Sequence, residues 1–179
     1  EFATRSTWLV STGSSSMAAA TVAPVDIITR EQIEKSGQPT IAEVLRNVPA
    51  NTGNSYGESF SNSFAPGASG ISLRGLGQKT TLVLINGRRT AGYGFAQNLQ
   101  DTFVDLNSIP SSAVERIEVL KDGASAIYGS EAIAGVINII LKKDYKGGQV
   151  SVQGSSNRSG LYNTGTATVT FGMGDLAKD

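Results

Sequence analysis

Two groups of residues in this 179-residue chain have types and spacings that invite a chemical reading. The first is glycine-rich: Gly70-Ile71-Ser72-Leu73-Arg74-Gly75-Leu76 and Gly75-Leu76-Gly77-Gln78-Lys79-Thr80 look like turns that cradle phosphate. A P-loop closes on Lys followed by Ser or Thr, and a dinucleotide fingerprint needs a third glycine. The first segment lacks the one and the second lacks the other, so nucleotide binding is not expected. The second group is the carboxylate pair Glu115 and Glu118, a pairing used in general acid/base work. Three residues apart on a strand, these side chains should point to opposite faces, so a salt-bridged strand is the expected role. The chain contains neither His nor Cys, which removes Ser-His-Asp and Cys-His nucleophiles, the usual zinc ligand sets and any disulfide. No enzyme activity, cofactor or metal site is expected.

Fifteen basic residues balance fifteen acidic ones, so charge selects no partner and no nucleic acid. The longest apolar stretch, Ala132 to Leu141, is interrupted by Asn138 and is half the ~20 residues that a membrane helix requires. What remains is binding. Tyr56, Phe60, Phe64, Tyr93, Phe95 and Phe103 lie on two long stretches rich in Gly, Ser and Asn, at 50–69 and 90–108. Loops of that kind, held by a rigid scaffold, are where small-ligand contacts concentrate.

The elements that would hold these loops can be read from local signals. Residues 1–23, rich in Ser, Thr and Ala, form a flexible leader that contains the extended-prone run Thr7 to Thr12. Val25 to Thr29 suits a strand, and Thr29-Arg30-Glu31-Gln32 has capping-box spacing for a short helix ending at Gly37. Thr40-Ile41-Ala42-Glu43 repeats it, with Ile41, Val44, Leu45 and Val48 on one face before Pro49. Ile71 to Arg74 alternates as a half-buried strand, and Thr81 to Ile85 is an apolar strand closing on the turn Asn86-Gly87. Val114 to Leu120 alternates with period two, ending at Asp122-Gly123. A helix from Ser125 to Ala134, broken at Gly129, precedes the buried strand Gly135 to Leu141. The expected core is one face shared by Ile27, Leu45, Leu82, Leu84, Ile117, Val119, Ile137 and Ile139. Beyond it, Gln149 to Gln153 and Thr164 to Phe171 alternate polar with apolar or small residues, a pattern that fits a transmembrane β-strand and an amphipathic hairpin in water equally well.

Leu73-Arg74-Gly75, Thr81-Leu82-Val83-Leu84-Ile85-Asn86-Gly87-Arg88-Arg89, Ile109-Pro110, Val114-Glu115-Arg116-Ile117-Glu118-Val119-Leu120-Lys121-Asp122-Gly123 and Ala124-Ser125-Ala126-Ile127-Tyr128-Gly129-Ser130 together resemble the plug domain of TonB-dependent outer-membrane receptors. The likeness covers most of the chain in the family's order. It implies an α+β domain with a small mixed β-sheet, short helices and long apical loops, followed by a β-hairpin. Leader 1–23, plug 24–146 and the first barrel strands 147–179 would divide the chain, which is then expected to be a fragment of a longer receptor.

The resemblance also implies roles. The plug would sit in the outer membrane inside its own β-barrel, leader towards the periplasm, gating and sensing a scarce nutrient such as a ferric siderophore, with oligosaccharide or cobalamin as other cargoes. TonB would pair with Thr7, Trp8, Leu9, Val10, Ser11 and Thr12, where Trp8 and Ser11 depart from the family's valine-rich pattern. Tyr56, Phe60, Phe64, Gln78, Lys79, Tyr93, Phe95 and Phe103 match apical positions that touch ligand. Arg74 matches an arginine that faces barrel carboxylates, and Lys121 stands where a second arginine often lies, without the bidentate fork. The alternative is a free-standing periplasmic binding or signalling module with a plug-like fold. In the hairpin, Gln149, Ser151, Gln153, Thr164, Thr166, Thr168 and Thr170 would face a wet lumen and Val150, Val152, Val169 and Phe171 lipid. Lacking further strands, it should be disordered in a monomer unless it pairs with another chain or with the plug's sheet edge.

Overall fold

The computed structural model describes residues 25–58, 65–96, 99–121, 124–143, 146–156 and 163–173. The leader with Thr7 to Thr12, Phe60, Phe64 and Asp122-Gly123 lie outside the described residues.

Local signals place the first elements. Thr29 ends strand β1 (Val25–Thr29) and caps helix α1 (Arg30–Lys35): its hydroxyl accepts from the Gln32 N–H while the Gln32 side chain accepts from the Thr29 N–H at 2.8 Å. Two otherwise orphaned amides are satisfied reciprocally. Thr40 caps α2 (Ile41–Arg46) by accepting from the Glu43 N–H at 3.3 Å, a one-sided version of the same device. Strand β2 (Thr81–Ile85) turns into β3 (Arg88–Arg89) through Asn86 and Gly87, both at positive φ, 50° and 77°. That pair of angles makes the tight hairpin turn whose twist matches the flanking strands.

β4 (Val114–Leu120) and β5 (Gly135–Leu141) complete a mixed five-stranded sheet in the order β1-β4-β5-β2-β3. Only β2 and β5 run parallel, with Leu82 opposite Val136 and Leu84 opposite Asn138. β5 is the central strand and is buried from Gly135 through Ile139, as an unbroken apolar run requires. One face carries Val83, Ile117, Val119, Ile137 and Ile139 against Ile33 of α1 and Ile41, Val44 and Leu45 of α2. The other carries Leu82, Leu84, Leu120 and Val136 against Ala132 and Tyr128, from the 3-10 turn Ser130–Ala132 and from α3 (Ser125–Tyr128).

This two-faced core corrects the single shared face expected from sequence. Leu82 and Leu84 pack on the side opposite Ile137 and Ile139, because alternate residues of a strand point to opposite faces. Ile27 is 39% exposed; its neighbour Ile28 packs on the core instead. Nor is Ile71 to Arg74 a strand. Ser72 N–H donates to the Ser55 hydroxyl and Leu73 N–H to the Thr81 hydroxyl, so hydroxyls replace a strand partner and the chain coils into the 3-10 turn Leu73–Gly75. The spacing of Glu115 and Glu118 is also reset. The register shifts between Val114 and Arg116, and both carboxylates meet the Arg116 guanidinium at 2.9 Å instead of pointing apart.

Beyond β5, β6 (Gly147–Ser156) and β7 (Asn163–Gly172) form an antiparallel pair separate from the sheet. Among the described residues no third strand joins them, and the hairpin meets the rest of the chain through the side chains of Thr170 and Ser112, not by extending the edge of the five-stranded sheet. Gln149, Ser151, Thr168 and Thr170 are half-buried, whereas Val150, Val152, Val169 and Phe171 are exposed by 57 to 79%.

Removing side-chain volume from the central strand should therefore be costly. Ile137→Ala and Leu84→Ala should each lower unfolding free energy by ~2–5 kcal/mol in denaturant titrations, and Ile27→Ala by no more than ~1 kcal/mol.

Candidate functional site

Of the residues singled out for binding, Tyr56, Gln78, Lys79, Tyr93 and Phe103 converge at the end of the sheet where β2 and β5 begin. Gly70 is the contact point. A Cβ at that position would lie 2.2 Å from the Gln78 side-chain oxygen and 2.9 Å from the Phe103 ring, so only glycine admits both. Phe103 is buried with Ala65 and Ala68, and Tyr93 stacks on it with ring centroids 5.4 Å apart. Tyr56 bridges Gly70 in both directions at 3.0 Å, Leu106 N–H donates to Ser69, and Asp105 accepts from the amides of Ser69 and Asn107. The loops at 50–58, 65–70 and 103–107 are thus stitched to one another, and Ala65 and Ala68 pack with Phe103 in a small apolar cluster of their own. Small residues at 65, 68 and 70 make room for two aromatic rings.

Gln78 opens the 3-10 turn Gln78–Thr80 and is 2% exposed, yet among the described residues neither polar atom of its carboxamide has a hydrogen-bond partner. Leaving such a group unpaired costs ~1–3 kcal/mol. Beside it Lys79 reaches Asp101 at 3.4 Å, an exposed ion pair that ties the turn to the loop carrying Phe103. Asp101 had no local signal in the sequence, since its partner lies far along the chain. Phe95, by contrast, is 65% exposed. Tyr56, Gln78, Lys79, Tyr93 and Phe103 therefore form one apex, in which Phe103 and Gln78 are buried and Lys79 and part of Tyr93 are accessible.

Arg74 sits at the edge of this apex in a left-handed backbone conformation, φ 53°. For a residue other than glycine that conformation carries strain, which is met most often at functional positions. Its amide donates to Ala50 at 2.7 Å, and its guanidinium donates to the carbonyls of Ile133 and Ala134 at 3.0 and 3.2 Å, where the chain enters β5. Lys121 closes an ion pair with Asp26 across β4 and β1. Burial raises the Tyr128 phenol above its ordinary value of 10.0. Among the described residues no group of His, Cys, Asp and Glu is arranged to hold a metal ion.

Two substitutions separate the roles of the apex. Gln78→Leu, which keeps the volume and removes the unpaired amide, should raise unfolding free energy by ~1–3 kcal/mol. Tyr93→Ala, which loses the stack on Phe103, should lower it by ~0.5–1.5 kcal/mol; thermal melts of the two variants check both signs.

Comparison with known proteins agrees with this geometry. The chain is 33% identical over 132 residues to the iron-regulated outer membrane virulence protein of Vibrio cholerae, covering 73% of this chain and 19% of that protein. It is 32% identical over 158 residues to the vitamin B12 transporter BtuB of Photobacterium profundum, covering 86% of this chain and 23% of the transporter. Among solved structures, the ferric enterobactin receptor PfeA of Pseudomonas aeruginosa superposes with a TM-score of 0.55 at 32% identity, over 75% of this chain and 20% of the receptor. The chain spans about a fifth of the length of these relatives. The family model of the TonB-dependent receptor plug domain matches residues 18–136, and the chain belongs to that family.

Proposed function

We propose that this chain is the gating and ligand-sensing plug of a TonB-dependent outer-membrane active transporter, together with the first strands of its barrel. One observation carries the reading. The hairpin β6–β7 half-buries Gln149, Ser151, Thr168 and Thr170, the last with its hydroxyl 2.9 Å from that of Ser112, and leaves Val150, Val152, Val169 and Phe171 outward. A hairpin folded for water would do the reverse; lipid outside and a polar lumen inside select this arrangement. The same inversion disfavours a free-standing periplasmic module, which would expose that apolar face to water.

The stitched apex is the ligand-facing end, and the cargo is a ferric siderophore or a similarly scarce nutrient. The relatives' names support iron, and that of the vitamin B12 transporter keeps cobalamin as a second cargo. Lys79 is the cation that the apex offers an anionic chelate once Asp101 yields it. Arg74 and Lys121 are the contacts to barrel carboxylates. Lys121 is a point charge shared with Asp26, and the Arg74 guanidinium is oriented by the Ile133 and Ala134 carbonyls, so each reaches a barrel carboxylate only through the donors left over. Thr7 to Thr12 pair with TonB by strand addition, in which backbone bonds supply affinity and an uncharged extended segment suffices.

The test uses cells expressing the full receptor reading frame. Uptake of iron-loaded enterobactin should be lost on deleting Thr7 to Thr12, while binding to the cell surface and the melting temperature of the plug stay unchanged. Uptake that persists without the segment sinks the TonB assignment, and uptake of cyanocobalamin but not of the iron chelate replaces the cargo.

A further inference from the structure

The 3-10 turn Ser111–Ala113, which leads into β4, has a different segment of the chain attached at each residue. The Arg30 guanidinium, from the first residue of α1, donates to the carbonyl of Ser111, the first residue of the turn, and to that of Val114 just after it. Glu34 holds that guanidinium at 2.7 Å from one turn further along α1. The Ser112 hydroxyl, on a side chain 8% exposed, meets Thr170 of β7 at 2.9 Å. The Ala113 carbonyl accepts from the Lys142 N–H at 2.9 Å, at the exit of β5 towards β6. Ser111 also reaches back to the Pro39 carbonyl between α1 and α2. One three-residue turn thus joins the first helix, the end of the central strand and the second strand of the hairpin.

We infer that Ser111–Ala113 is a mechanical junction through which Arg30 couples the β1–α1 unit at the start of the plug to the first barrel hairpin. This rests on the plug-and-barrel reading for its purpose, though not for its geometry. A side chain anchored by two carbonyl bonds and oriented by a carboxylate keeps the turn in one conformation, and only that conformation presents Ser112 to Thr170. Displacing β1, whose last residue directly precedes Arg30, withdraws the guanidinium from both carbonyls and frees the turn. Lys142 reports the same crowding: burial first, and then the positive charge of Arg30, bring its ammonium below the ordinary value of 10.5, while Glu34 opposes the shift. Arg30 acts here as a positioning residue, since its own bonds go to α1 and the turn and to neither hairpin strand.

Amide hydrogen exchange on the 179-residue chain tests the coupling without ligand or TonB. Ser112→Ala should speed exchange at Val169 and Phe171 by about fivefold, the change expected from one lost hydrogen bond in a local opening. Arg30→Met, which keeps the apolar stem, should speed exchange at those same amides, and combining the two should give less than the product of the separate effects. Ile137 and Ile139 should keep their protection, which separates a junction from general loosening. Hairpin amides unmoved by Arg30→Met, or a uniform rise that includes β5, would overturn the junction. Should Arg30→Met fail to fold, Glu34→Gln keeps the guanidinium, loosens it, and is read in the same way. A hairpin that responds to Arg30 in a receptor that transports nothing would leave the junction in place and remove only the transport reading.

Discussion

The structure depends on one constraint, that β5 lies at the centre of the sheet with both faces covered. From Gly135 to Ile139 the strand is closed to water on either side, so α1 and α2 must cover one face and α3 with its following turn the other. Each fully buried Val, Ile or Leu is worth ~1.5–3 kcal/mol, and the two apolar clusters meet across this strand. Its entry is equally restricted. A Cβ on Gly135 would lie 2.6 Å from the Leu120 carbonyl, so the first residue admits no side chain.

A strand buried on both sides can carry a polar group only if that group is satisfied. Asn138 is such a group, 4% exposed. Its carboxamide accepts from the Gly87 N–H at 2.9 Å and donates to Glu118 at 3.1 Å, and Glu118 in turn receives Arg116. The network fixes the β2–β3 turn, the central strand and β4 in one register, a role that an apolar residue of the same size would leave unfilled. The position that interrupts the apolar run in the sequence is therefore a pin in the fold.

The two ends of the sheet are used differently. At the apex, an exposed ion pair, a strained arginine and an unpaired buried amide are carried at some cost in stability, as sites of recognition commonly are. At the opposite end bonds from α1, β5 and β7 converge on one short turn next to the hairpin.

Much of the fold was legible in the sequence because the relevant forces act between neighbours. Thr29 with Gln32, Asn86 with Gly87, the apolar run of β5 and the period-two pattern of β6 and β7 each announce an element through bonds made within a few residues, and each element formed where expected. What tertiary structure alone decided depended on partners remote in the chain. The hydroxyls of Ser55 and Thr81 drew Ile71 to Arg74 out of an extended form. A register shift brought Glu115 and Glu118 to the same guanidinium. The apex shows the same division. Tyr93 and Phe103 could be nominated from their loops, and Gln78 and Lys79 from the family resemblance, but the burial of Gln78 and Phe103 against Gly70 and the pairing of Lys79 with Asp101 could not. Alternation in β6 and β7 established two faces without saying which was inward. Only the tertiary structure distinguishes them, setting Thr170 against Ser112 and leaving Val150 and Val169 exposed, because a strand's pattern is symmetric about its own plane and only a neighbouring surface breaks the symmetry.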